Sequence, residues 1–205
     1  ADVLVANSRG LKDMALRFYN KKDFAIICNG VDTNTFNPLP NSENMDEFRI
    51  LFVSRLIERK GLQYIIPELK KIQEKTARKI KLIVVGNGPY REYLEELTKK
   101  HDVEAMVQFE GQKDRQEIRT YYQNADVFIL PSQKEGMPNV VLEAMACGLP
   151  VIMTPCEGSQ ELIKENGYVV PVEEFSEKLI YLANRSDLCR NIGQKSREKA
   201  ASCFG

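Results

Sequence analysis

Six short apolar runs, 50–54, 81–86, 107–111, 126–132, 150–154 and 168–172, recur along the chain, each followed by a segment of helical period. That alternation is what a parallel sheet with crossover helices requires, because parallel neighbours cannot be joined by a tight turn. Runs such as Leu82-Ile83-Val84-Val85 and Val127-Phe128-Ile129-Leu130 lack inside–outside alternation, as strands covered by helices on both faces do. The predicted architecture is an open α/β sandwich of about six parallel strands. With 205 residues, 43% of them apolar, the chain builds that core without staples.

The helices are legible from their ends. Gly88 as cap and Pro89 at the first position open one with Tyr90, Tyr93, Leu94 and Leu97 on a face. Asp114 followed by Glu117 opens another, with Ile118, Tyr121 and Tyr122 inward. The segment 139–147 has Asn139 at its start, a stripe of Val140, Val141, Ala144 and Met145, and Gly148 and Pro150 past its end. Pro67 interrupts the pattern Leu62, Ile65, Ile66, Leu69, Ile72, so it either kinks that helix or starts its regular part. A strand at 1–6, a helix and a second strand come first, ending in the turn Asn29-Gly30-Val31-Asp32. The polar, Pro-rich stretch Asn37-Pro38-Leu39-Pro40-Asn41-Ser42 reads as a linker, and a helix carrying Leu188 and Ile192 follows Ser186.

Composition removes several function classes. Lys plus Arg and Asp plus Glu both number 29, leaving no basic field for a nucleic acid backbone, so no nucleic acid partner is expected. Cys28, Cys147, Cys156, Cys189 and Cys203 are scattered without a CxxC pair, which favours reduced, cytosolic thiols over disulfides or a zinc site. His101 is the only histidine, so a His-based triad or a multi-histidine metal centre has too few parts. No apolar run reaches the ~18 residues of a membrane span. The strand at the very start, without an initiating Met, reads as part of a longer polypeptide.

Ligands of an open parallel sheet bind at the carboxyl ends of strands. After 50–54 come Arg55 and Lys60, two cations able to clamp a diphosphate, although such a pair also fits a solvated loop. Gly86-Asn87-Gly88-Pro89-Tyr90-Arg91 carries arginine where a dinucleotide fingerprint has its third glycine, which fits a tight turn and counts against a dehydrogenase. After 126–132 come Glu135, Gly136, Met137, Pro138 and Asn139, leading into the helix that carries Glu143. Gly136 lets backbone approach a ligand, and the amides at the helix start suit an anion. Glu135 and Glu143 flank those amides, where carboxylates would bind the hydroxyls of a sugar or ribose. Each also fits a plain structural role, as a loop charge or as a carboxylate favourable near a helix start.

In combination these residues resemble the C-terminal, nucleotide-sugar-binding domain of GT-B glycosyltransferases, in particular the retaining family 4. The resemblance runs through Val5-Ala6-Asn7-Ser8, Asn29-Gly30-Val31-Asp32 with Phe36, Val53-Ser54-Arg55-Leu56 with Lys60-Gly61, and Val85-Gly86-Asn87-Gly88-Pro89. It continues through Val107-Gln108-Phe109-Glu110-Gly111, Ala125 to Ser132, Glu135-Gly136-Met137-Pro138 and Glu143 to Val151. It implies a Rossmann-like domain over 46–185, preceded at 1–45 by the end of, or connection from, an N-terminal domain plus linker, and followed by a cut-short helix at 186–205.

By the same resemblance, Arg55 and Lys60 grip the donor diphosphate, Glu135 holds hydroxyls of the donor sugar and Glu143 binds the ribose. Amides from Gly136 to Asn139 lie against phosphates and sugar. The base sits near Phe109, Gly111 and Gln112, with Lys113 a neighbour. Glu161 matches a recurring family Glu without an assigned role. The implied reaction is glycosyl transfer from a UDP-, GDP- or ADP-sugar to an acceptor hydroxyl with retention and without a metal. The acceptor, a glycan or lipid-linked glycan, belongs to the other half of the protein. The implied location is cytoplasmic, with peripheral docking at the inner membrane face open for the full-length protein. A non-catalytic nucleotide-sugar-binding or scaffold domain is the alternative, weakened by the presence of Arg55, Lys60, Glu135 and Glu143 together.

Overall fold

The computed structural model describes residues 3–18, 24–39 and 46–205. Ala1 and Asp2 of the expected first strand, and Pro40, Asn41 and Ser42 of the expected linker, lie outside the described residues. The chain opens with β1 (Leu4–Ala6), α1 (Arg9–Leu16) and β2 (Phe24–Ile26), the two strands pairing in parallel. Ser8 starts α1 by accepting the Leu11 amide on its hydroxyl at 3.1 Å, which satisfies one of the helix's orphan donors. Asp32 then folds a turn by accepting the Asn34 and Thr35 amides at 3.0 and 3.1 Å. Phe36, just beyond, is fully buried in the main core.

The main sheet, as described, has six parallel strands: β3 (Glu47–Val53), β4 (Lys79–Val85), β5 (Val107–Gly111), β6 (Val127–Leu130), β7 (Val151–Met153) and β8 (Gly167–Val169), in spatial order β5-β4-β3-β6-β7-β8. The expected sheet is present with shifted limits. β3 and β4 pair over their whole length, Glu47 opposite Lys79 through Val53 opposite Val85, and begin earlier than expected. β6 and β7 are shorter, because Pro131 and Pro150 at their flanks have no amide to give a ladder.

Both faces of the sheet are apolar, which is why its strands do not alternate. Phe48, Ile50 and Phe52 of β3 face one cluster, built with α2 (Leu69–Glu74), α3 (Arg91–Lys100) and α7 (Phe175–Ala183) through Leu69, Ile72, Leu94, Leu97, Phe175 and Leu179. Leu51 and Val53 face the other, built with Tyr122 of α4 (Arg115–Gln123) and with Val141, Leu142 and Met145 of α5 (Asn139–Ala146). The short α6 (Ser159–Leu162) follows β7. The long α8 (Ser186–Cys203) straps the sheet, giving Cys189 and Ile192 to the first cluster and Ala200 to the second. Arg197 of α8 donates to the carbonyls of Phe36, Ala146 and Thr33 at 2.9, 2.9 and 3.1 Å, fixing the early segment against α5.

Two local expectations need correction. The pattern from Leu62 to Ile72 is regular α-helix only from Leu69. Before that the chain makes 3-10 turns at Glu58–Lys60, Leu62–Tyr64 and Ile66–Glu68, the last containing Pro67, so the proline precedes the regular part. The helix expected to open at Gly88 and Pro89 begins at Arg91; Gly88 to Arg91 make a turn before it, the Arg91 amide on the Gly88 carbonyl at 3.1 Å. α7 is the helical segment expected after the run 168–172, with Phe175, Leu179 and Leu182 on one face of it. The capping box Asp114 to Glu117 is formed as expected, both reciprocal bonds being made.

Candidate functional site

In this strand order β4 and β5 extend to one side of β3, and β6, β7 and β8 to the other. A crevice therefore opens beyond the carboxyl ends of β3 and β6, where the winding reverses. The chain places residues 54–61 and 131–138 there. The two loops are bonded to each other. The Gln133 amide donates to the Arg59 carbonyl at 2.9 Å, the buried Ser132 hydroxyl donates to the same oxygen at 3.2 Å, and the Arg59 guanidinium donates to the Lys134 carbonyl at 3.2 Å. Gly61 makes the seam possible: its φ is +77°, and a Cβ on it would stand 1.9 Å from the Pro131 carbonyl oxygen.

Across the seam the Lys60 ammonium meets Glu135 Oε1 at 2.5 Å, with the two side chains only 14% and 13% exposed. Arg55, at the end of β3, is exposed and has no side-chain partner among the described residues. Beyond Glu135 the backbone passes Asn7, whose amide atoms lie 3.7 and 3.8 Å from where a Cβ on Gly136 would be. Met137 is buried, and its carbonyl accepts from the Asn29 side-chain amide at 2.8 Å; the same nitrogen reaches Asn139 Oδ1 at 2.8 Å. α5 starts after Pro138 with no side-chain cap, so the amides of Asn139 and Val140 have no partner within the helix. That open helix start favours an anion.

Glu143 stands one turn further along α5, half-buried, and Tyr122 of α4 donates its hydroxyl to Glu143 Oε2 at 2.9 Å. Burial pushes the Glu143 carboxyl above its ordinary value, while the Tyr122 hydrogen bond and the Arg115 charge pull it back. Tyr122 is fully buried, and burial, then the Glu143 charge, hold its phenol well above the ordinary tyrosine value.

The expected base-side residues form a neighbouring group at the end of β5, two strands out from β3. The Arg91 guanidinium lies 5.8 Å from the Phe109 ring centroid, and the Gly111 carbonyl accepts the Gly86 amide at 2.7 Å. Lys113 sits 3.8 Å from both Glu110 and Glu117 and 5.7 Å from the Tyr121 ring centroid. The structure thus brings Arg55, Lys60, Glu135, Gly136, Met137, Pro138, Asn139 and Glu143 to the switch-point crevice, and leaves Phe109, Gly111 and Lys113 beside it. Gly86 and Gly88 serve packing: a Cβ would stand 1.9 Å from the Ser54 oxygen at the first and 2.3 Å from the Leu56 oxygen at the second. Glu161 accepts the Arg9 amide at 2.6 Å, which ties α6 to the start of α1.

Two features had no local signal. The Tyr122–Glu143 bond joins residues 21 apart on different helices. A cavity of about 1020 Å³ lies between α1 and the loops after β6 and β7, lined by Arg9, Asp13, Met14, Lys134, Cys156 and Glu157 among others. Among the described residues, no helix is long and apolar enough to cross a membrane.

The six-stranded parallel sheet with helices around it is that of the Rossmann-like domain that forms the C-terminal half of GT-B glycosyltransferases. The chain belongs to the family described as glycosyl transferases group 1, which matches residues 35–199. It is 30% identical over 196 residues to the putative colanic acid biosynthesis glycosyltransferase WcaL of Escherichia coli (strain K12), covering 90% of this chain and 48% of that one. The chain spans about half the length of the curated relatives it matches. The solved C-terminal domain of a glycosyl transferase group 1 family protein (LpcC) from Francisella tularensis is similar over 85% of this chain and 98% of that one, at 26% identity and a TM-score of 0.74. HepE of Anabaena, solved with UDP and glucose, shares the fold over 100% of this chain and 59% of that one, at 21% identity and a TM-score of 0.85.

Proposed function

We propose that the crevice is the donor half of a glycosyl-transfer site. It takes a nucleotide-diphosphate sugar, and in the whole enzyme the glycosyl group passes to an acceptor hydroxyl with retention at the anomeric carbon. The observation that carries this reading is the convergence at the switch point of the Lys60–Glu135 pair, the uncapped start of α5 and the half-buried Glu143.

As the bond from the anomeric carbon to the diphosphate breaks, negative charge grows on the leaving group. Arg55, Lys60 and the α5 amides are the groups that stabilise it, with no metal ion called for. Donor entry shares out the Lys60–Glu135 pair, the ammonium turning to phosphate oxygens and the carboxylate to sugar hydroxyls. Glu143 accepts from the ribose hydroxyls, and Phe109, Gly111 and Lys113 border the base. HepE, with UDP and glucose in the same fold, supports a nucleotide-sugar ligand, and the colanic acid role in WcaL's name supports a glycan or lipid-linked glycan as acceptor.

Isothermal titration with UDP, GDP, ADP and their sugar conjugates tests the reading. One nucleotide should bind selectively, and Arg55→Ala and Glu143→Ala should each weaken it by about tenfold or more, the loss of a charged hydrogen bond. Absence of binding to any of them at millimolar concentration would overturn the donor site.

A further inference from the structure

We propose that Tyr122 is a positioning residue for ribose recognition, its buried hydroxyl holding the Glu143 carboxylate in the one orientation that reads a ribose diol; this rests on the donor-site reading above. Tyr122 is a poor candidate for a merely space-filling residue. Its ring is locked edge-on against Phe36, centroids 5.8 Å apart at 82°, and tilted against Phe128 at 5.9 Å. The hydroxyl therefore has a fixed position, and that position is 2.9 Å from Glu143 Oε2. Glu143 Oε1, by contrast, has no partner among the described residues and is not among the buried unpartnered atoms, so it stays open to a ligand.

The chemistry follows from the donor inventory. Both ribose hydroxyls can donate, so an acceptor-only carboxylate fits them, whereas a protonated carboxyl would present a competing donor. The phenol helps keep the carboxylate ionised and takes up one lone pair of Oε2, which leaves Oε1 and the rest of Oε2 for the diol. The charged and titratable groups around Glu143 are Tyr122 and Arg115 of α4, which favour its ionised form, and Cys147, whose thiol is pushed up to about 12 and stays neutral.

The test is Tyr122→Phe, which keeps the ring and removes the hydroxyl. Of UDP, GDP and ADP, the one that binds the unaltered protein is titrated across pH beside its 2′,3′-dideoxy analogue, with a thermal melt to confirm folding. Affinity for the ribonucleotide should fall by roughly tenfold, with the acid limb of binding moved to higher pH, while the dideoxy analogue changes less than about twofold. In a Glu143→Gln background the same substitution should have no further effect. Arg115→Ala, on the surface, should move the acid limb in the same direction, and it keeps the proposal testable if Tyr122→Phe fails to fold. Equal losses for both ligands, or none for either, would overturn the proposal and leave the donor site standing; no binding to the unaltered protein would overturn both.

Discussion

The two ends of the main sheet each carry an ion pair sheltered from water, and they use it in opposite ways. At the amino end, Arg78 meets Asp126 Oδ1 at 2.9 Å, Asp126 Oδ2 accepts the Arg49 amide at 2.7 Å, Arg78 also donates to the Glu47 carbonyl, and the Asp126 carbonyl takes the Cys189 thiol at 3.3 Å. Each oxygen there has a partner: Arg49 and Glu47 lie on β3, Cys189 on α8, and Arg78 and Asp126 just before β4 and β6. At the carboxyl end, Lys60 and Glu135 have each other and, among the described residues, no further side-chain partner, while Glu143 keeps one oxygen open. A carboxylate with both oxygens partnered is spent on holding strands together. An unsaturated one is left with bonding capacity for a ligand, and that difference separates a structural cluster from a site in a chain where both have similar burial and similar residues.

The comparison breaks first at Asp126. Replacing it with alanine removes the Asp126 carboxylate from beside Arg78 and leaves the Arg49 amide without its Asp126 acceptor in β3. A loss of about 3 kcal/mol is expected, as for other sheltered pairs that lose one partner, read as a lowered denaturant midpoint with unchanged slope. Nucleotide affinity of the molecules that remain folded should be unchanged. A loss of affinity with intact stability would mean that the amino-end cluster is no more structural than the crevice.

Gly61→Ala should act on the other end. The added methyl must adopt a left-handed conformation and meets the Pro131 carbonyl, so the loops at 54–61 and 131–138 are forced apart. We expect about 2 kcal/mol of destabilisation together with a loss of nucleotide binding. The two readouts should move together, where for Asp126→Ala they separate. Binding retained in a stable Gly61→Ala protein would show that the seam between the loops does not shape the site.

How much of this contrast can be read from sequence depends on how far apart the partners lie. The six strands were legible because apolar runs on doubly covered strands are local, and the α4 start was legible because its capping box spans only Asp114 to Glu117. Arg55, Lys60 and Glu135 could be placed in the loops after strands and Glu143 on the helix that follows, since that depends only on topology. What could not be read is pairing. Lys60 and Glu135 are 75 residues apart and Tyr122 and Glu143 are 21 apart, and no spacing rule reaches across either gap. α7 is legible for the opposite reason, since its stripe of Phe175, Leu179 and Leu182 is local to the segment after 168–172.

The smallest expected effect is also the one that sharpens the contrast most. Asp126 and Glu143 are both pushed above their ordinary values, chiefly by burial, but the Asp126 charge is answered by Arg78 and by the Arg49 amide, and the Glu143 charge mainly by a neutral phenol. For an acid raised in the folded state, the folded chain keeps its proton to higher pH than the unfolded chain. The stability tied to that group is therefore full below the unfolded value and is lost as pH rises through the folded one. Glu143→Gln removes that loss while its side-chain oxygen can still accept from Tyr122. The variant should be more stable than the parent by roughly 0.5–1 kcal/mol at neutral pH, with the advantage vanishing in acid, and it should bind nucleotide poorly. If Glu143→Gln destabilises instead, the carboxylate is part of the scaffold, and the two ends of the sheet do not differ in the way their unpaired oxygens imply.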